Sequence, residues 1–192
     1  MRLSTRPRLI VSAVLAALVL AGCAAQPDPE RETEAATAVE QWAALDATEL
    51  IDQLEATPVD ERPQDVMASI RQDEVLVSAP DGSQEVSVPI EESHYLSIAP
   101  YVDQTHDCFF HSLTTCTGEM GGEEITVRVV DDRTGEVYVD ETSRTHDNGF
   151  AGFWLPRDIS ATITVTAAGR SAETSVETGP DDLTCLTSLQ LT

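Results

Sequence analysis

Glu124-Ile125-Thr126-Val127-Arg128-Val129-Val130, the turn Asp131-Asp132-Arg133-Thr134-Gly135 and the returning Glu136-Val137-Tyr138-Val139-Asp140 decide the fold class. Apolar and polar residues alternate on both sides of the turn, so each segment has one face for a core and one for water, as in an antiparallel hairpin. The acidic turn lacks the ligand spacing and the distal Glu of a calcium loop and is read as a hairpin turn. Downstream, residues 161–166 and 171–176 repeat the pattern around Ala168-Gly169-Arg170. Upstream, residues 74–78 and 85–90 flank Pro80-Asp81-Gly82-Ser83, and residues 94–98 read as one more strand by composition. Short alternating strands with regular turns predict a small antiparallel β-sandwich. Residues 148–156, with two glycines and three aromatics, read as a crossover between its strands.

Further toward the N-terminus the period changes. Ala35, Ala38, Val39, Trp42 and Leu45 recur at helical spacing, and Asp46 with Glu49 reads as a capping box opening a second helix through Leu50, Ile51 and Leu54. Thr57-Pro58 stops that helix. Pro63 is expected to open a third short helix carrying Val66, Met67 and Ile70, with Met67 packed in the core. Trp42 reads as a packing or dimer-contact residue. The fold class is therefore α+β: a small helical N-terminal part over residues 34–72, then an antiparallel β-sandwich-like domain over residues 73–192.

The first residues look like a secretory leader. Arg2, Arg6 and Arg8 precede an apolar run over residues 9–20, too short to span a membrane comfortably. The run ends in Leu20-Ala21-Gly22-Cys23, which resembles the lipobox of bacterial lipoproteins. That resemblance implies a signal over residues 1–22, cleavage before Cys23, lipidation of Cys23, and a polar tether over residues 23–33. The mature protein is then expected at the outer face of the plasma membrane, held by acyl chains. The chain carries a net charge of −23 and no lysine. Such a surface repels nucleic acid and anionic headgroups and excludes both as partners, while it attracts cations.

With Cys23 lipidated, three thiols remain: Cys108, Cys116 and Cys185. Thiols outside the cytoplasm normally pair, and an odd number leaves one over. Two of them lie in Asp107-Cys108-Phe109-Phe110-His111-Ser112-Leu113-Thr114-Thr115-Cys116-Thr117-Gly118-Glu119-Met120, which has no helical or strand period and concentrates soft ligands. There is no Gly-x-Ser-x-Gly elbow, no His-Glu-x-x-His and no phosphate-cradling loop. A Cys/His nucleophile pair leaves the other thiols unexplained. Thiolate with imidazole suits Cu(I), with zinc as the alternative ion. The structural alternative is a Cys116–Cys185 or Cys108–Cys185 disulfide pinning the C-terminal tail to the loop, with one inert thiol left. His106 reads as an outer ligand or a solvated loop residue, Met120 as a packing residue ahead of a thioether ligand, and Glu119 and Asp107 as acceptors orienting His111. His94 and His146 are assigned no role.

The segment from Cys108 to Glu119, with Cys185 about seventy residues later, resembles the CueP family of periplasmic copper-binding proteins. The resemblance implies metal ligation by Cys108, Cys116 and Cys185, with His111 carried along inside the motif. It also implies copper tolerance in the cell envelope, delivery of copper to an envelope cuproenzyme such as superoxide dismutase, reduction of Cu(II) by the thiols, and a homodimer formed through the N-terminal part. The lipobox departs from a freely diffusing periplasmic protein. Three classes thus compete: a lipid-anchored copper-binding protein, a zinc scavenger, and a non-catalytic envelope lipoprotein with a structural disulfide.

Overall fold

The computed structural model describes residues 29–192. The leader, Cys23 and the first part of the tether lie outside the described residues. Helix α1 spans Pro29–Ala43, so helical backbone begins within the stretch read as tether. Helix α2, Ala47–Ala56, starts as the capping box predicts: the Asp46 Oδ1 accepts the Glu49 N–H at 2.8 Å. It buries Leu50, Ile51 and Leu54, and also Glu55.

The expected third helix does not form. Residues 59–61 make a single 3₁₀ turn, and Met67–Ile70 is strand β1. Val66, Ala68 and Ile70 are buried while Met67 between them is 37% exposed, a period of two that the helical reading passed over. Met67 is therefore a surface residue of a strand rather than a core residue of a helix. Strand β1 pairs antiparallel with β2 (Glu74–Ser78), which pairs with β3 (Glu85–Pro89). The two helices close over this sheet, and Val39, Leu50, Ile51 and Leu54 share one core with Ile70, Val75, Val77 and Val88.

The remaining strands are β4 (Ser93–Ile98), β5 (Glu124–Asp131), β6 (Val137–Arg144), β7 (Ala151–Pro156), β8 (Ser160–Ala167), β9 (Arg170–Glu177) and β10 (Cys185–Leu186). They form two sheets, ordered β10-β4-β7 and β6-β5-β8-β9. A second core lies between them, with Leu96, Phe153 and Leu155 on one side and Ile125, Val127, Ile163 and Val165 on the other. The α+β class and the sandwich stand as expected. Residues 151–156, read as a crossover, are instead a full strand: Gly152 lies directly beneath the Tyr95 ring, where any Cβ would collide with it, and its flatness lets β7 pair with β4. The β5–β6 turn is closed by Asp131, whose Oδ1 accepts the Arg133 and Thr134 N–H groups and whose Oδ2 accepts the Tyr138 hydroxyl. The Thr134 bonds above all, with the other two donors, hold its carboxyl down at about 2. Two of these donors come from the turn and the third from the returning strand β6, as in a hairpin rather than a calcium loop. A small third cluster, Ala99, Phe150 and Cys185 with Cys108 and Cys116 against it, sits at the seam of the two cores.

Candidate metal centre

The loop carrying the ligands has no regular structure of its own, so its backbone polar groups must be satisfied from outside. Strand β1 does much of this: the Ile70 N–H donates to the His111 carbonyl at 2.8 Å and the Leu113 N–H to the Ala68 carbonyl at 2.9 Å. The C-terminal tail joins from the other side. Thr184 and Cys185 donate their N–H groups to the Phe109 carbonyl at 2.9 and 3.1 Å. The His111 N–H donates to the Thr184 Oγ1 at 3.1 Å, and that hydroxyl donates on to the Ile70 carbonyl at 2.8 Å. Strand, loop and tail are thereby stitched into one layer. Arg62 holds the far end of the loop, with Nη1 donating to the Cys116 carbonyl at 2.7 Å. The loop then passes Gly149 (φ +81°), where a Cβ would come within 2.7 Å of the Gly118 backbone.

This layer brings all three cysteines together. Cys108 and Cys185, 77 residues apart, form a disulfide, and Cys116 is a free thiol. The Cys116 Sγ lies 3.6 Å from the Cys108 Sγ and accepts the Ser112 N–H at 3.3 Å. His111 is fully buried against the Phe150 ring at 4.5 Å, its Nδ1 3.8 Å from the Cys185 Sγ. Its other nitrogen, Nε2, is 3.1 Å from the Glu55 Oε1, off the axis of an aligned hydrogen bond and so an ion pair by distance.

Glu55 reaches the site from α2 and is 2% exposed. The Asn148 Nδ2 donates to its Oε2 at 2.9 Å, and the Ser97 and Tyr95 hydroxyls approach Oε1 at 3.4 and 3.5 Å. Burial pushes its carboxyl up, but the His111 imidazole and the Asn148 amide outweigh burial and leave it below the ordinary value. Burial pulls His111 down, yet Cys116 and Glu55 on its two sides raise it to about 9. Cys116 is likewise pushed up by burial and brought below the usual thiol value by His111, the Ser112 N–H and Arg62.

Sequence reading missed Glu55, Asn148 and Arg62. Glu55 had a signal, for it falls four residues after Ile51 on the apolar face of α2, where a carboxylate needs a buried partner. The roles expected of Glu119 and Asp107 change accordingly. Glu119 does not orient His111; its Oε2 accepts the N–H groups of Val102, Asp103 and Gln104. Asp107 is exposed, and the acceptor for His111 is Glu55. Phe109 is 49% exposed, and Phe110 lies under the Arg71 guanidinium at 3.9 Å. Met120 packs on the sandwich core. His94 is buried and bonds the Leu183 carbonyl at 3.0 Å, a structural role.

Among the described residues, two overlapping groups have ligand atoms within 4.8 Å of one another: His111, Cys116 and Cys185, and His106, Cys108 and Cys116. Sulfur and imidazole at such spacing form a soft donor set. The fold and the site together define a helix-capped β-sandwich with a Cys/His cluster at its seam, the class of metal-binding β proteins. A family model described as "Periplasmic copper-binding protein CueP" matches residues 49–190, and the chain belongs to the CueP family. Its structure is similar to a solved one titled "Crystal Structure of S.CueP", at 36% identity and a TM-score of 0.73, over 88% of this chain and 100% of that one. Nothing among the curated proteins matches the sequence.

Proposed function

We propose that this protein binds Cu(I) outside the cytoplasm through Cys108, Cys116 and Cys185, with the His111 Nδ1 completing the ligand set. The observation that carries this reading is the convergence of three sulfurs, from a loop and a distant tail, beside an imidazole whose far side is held by a buried carboxylate. Glu55 orients the ring so that Nδ1 faces the sulfurs, as outer-shell carboxylates orient metal-binding histidines. Metal binds thiolates and neutral imidazole, so uptake by the thiol form releases protons.

The Cys108–Cys185 disulfide also fits a reductive role. The two thiolates together lose two electrons and join as the disulfide, while two Cu(II) ions each take one and become Cu(I). Cys116, outside that bond, keeps a thiolate for the product ion. Lipidation at Cys23 would restrict delivery to enzymes at the same membrane surface.

An anaerobic competition titration against a chromophoric Cu(I) chelator, on protein whose disulfide has been opened, tests the reading. The expected outcome is tight binding that is lost in the Cys108/Cys116/Cys185→Ser protein while its β circular dichroism persists. Unaltered affinity in that variant refutes the assignment, and preference for Zn(II) in the same titration makes the site a zinc site. The disulfide itself favours a second reading, a staple that ties the two-residue strand β10 to the loop. A reduced protein that leaves the chelator's colour unchanged would establish it.

A further inference from the structure

The two ligand groups at the seam differ in depth. His111 and Cys185 are buried, Cys116 and Cys108 are half-buried, and His106 is exposed. Cys116 belongs to both groups. Both imidazoles lie near one buried ring, His111 at 4.5 Å and His106 at 6.2 Å from the Phe150 centroid. On the outer side a cavity of about 340 Å³ is lined by His106, Gln104, Thr105, Gly118 and Glu119, so the outer group opens to solvent and the inner one does not.

We propose that, in the thiol form, the centre has two positions for one soft monovalent ion. The outer one, His106-Cys108-Cys116, receives and hands over the ion; the inner one, His111-Cys116-Cys185, holds it. This inference rests on the Cu(I) reading above and adds a path to it. An ion bound at about 2.3 Å to each of two sulfurs in a plane needs them about 4 Å apart, and Cys108 and Cys116 are at 3.6 Å. Transfer keeps the Cys116 bond throughout: the His111 and Cys185 bonds form as those to His106 and Cys108 break. No electron moves in this step. Opening the disulfide beforehand takes two electrons from an external phosphine or dithiol.

The path separates rate from affinity. His106 serves the passage, so its loss slows loading and unloading by the same factor and leaves the equilibrium alone, as detailed balance requires. His111 serves the held state, so its loss weakens affinity. The test uses the full chain, reduced with a phosphine, desalted without oxygen and mixed by stopped flow with a Cu(I) bis(bicinchoninate) complex; the reverse transfer is followed separately. For His106→Ala we expect both rates to fall about tenfold, with the dissociation constant within about twofold of the parent. For His111→Ala we expect the dissociation constant to rise by about tenfold or more. Unchanged rates in His106→Ala overturn the proposal. So does a loss of affinity matching that of His111→Ala, which would make the five side chains one site. A parent protein that takes no Cu(I) from the chelator counts against the binding reading itself and is seen before either variant is compared.

Discussion

In the sandwich, β5 with β6 and β8 with β9 are hairpin neighbours, and their inward residues Ile125, Val127, Ile163 and Val165 are fully buried by simple alternation. In the seam, four segments far apart in sequence must meet: β1 at residues 67–70, the loop around residues 108–116, the turn at Asn148 and the tail at Cys185 are all required at once. The sandwich is held by apolar area and short connections, which tolerate change in any one polar contact. The seam is held by directional bonds between distant segments, where each partner's loss strands another buried group. The chemistry sits in the region that is harder to specify, because ligands must converge there without a hydrophobic pattern to place them.

The largest effect expected on this contrast is at the disulfide. Closing a 77-residue loop stabilises the chain by about 4 kcal/mol, chiefly through the unfolded state. Cys185→Ser is therefore expected to lower urea stability by that order while the β circular dichroism of the folded protein stays. Loss of the β signal would make the sandwich dependent on the seam.

Ile163→Ala probes the other side. It is expected to cost about 3 kcal/mol in unfolding free energy from the cavity it leaves, with the Cu(I) affinity of the folded protein unchanged in competition titration. A parallel fall in affinity would show that the two regions respond as one.

Glu55→Ala comes next. It strands His111 and Asn148, at about 1–3 kcal/mol, and weakens metal affinity by about 10–100-fold through the freed ring. Glu55→Gln restores shape without the charge and is expected to recover much of the stability and less of the affinity. Equal recovery of both would reduce Glu55 to packing.

The smallest effect is a shift on the pH axis. Because His111, Ser112 and Arg62 favour the Cys116 thiolate, its alkylation by iodoacetamide in the disulfide form should reach half-maximal rate below pH 9.0, the ordinary thiol value. His111→Ala removes the largest of those influences and should move the midpoint upward. A midpoint at or above 9.0 in the parent would mean that burial wins.

The strands at 74–78, 85–90, 124–130, 136–140, 161–166 and 171–176 were legible because a half-buried strand writes its two faces into alternate residues. The α2 cap was legible because Asp46 and Glu49 bond locally. Strand β1 was misread although Val66, Ala68 and Ile70 alternate, for a short run after Pro63 fits either period. Strand β7 was hidden by Gly152, whose missing side chain makes room for Tyr95 from another strand. The sulfur and imidazole ligands stood out by type alone, whereas Glu55 looked like any helix acid.

The α+β class, the hairpins, and a soft Cys/His set with an odd thiol follow from neighbouring residues and composition alone. That Cys185 bonds Cys108 and leaves Cys116 free, that β1 rather than a helix carries the loop, and that a carboxylate from α2 holds His111 are outcomes of long-range packing. Those outcomes depend on which distant backbone groups satisfy one another, and that pairing exists only once the chain has closed on itself.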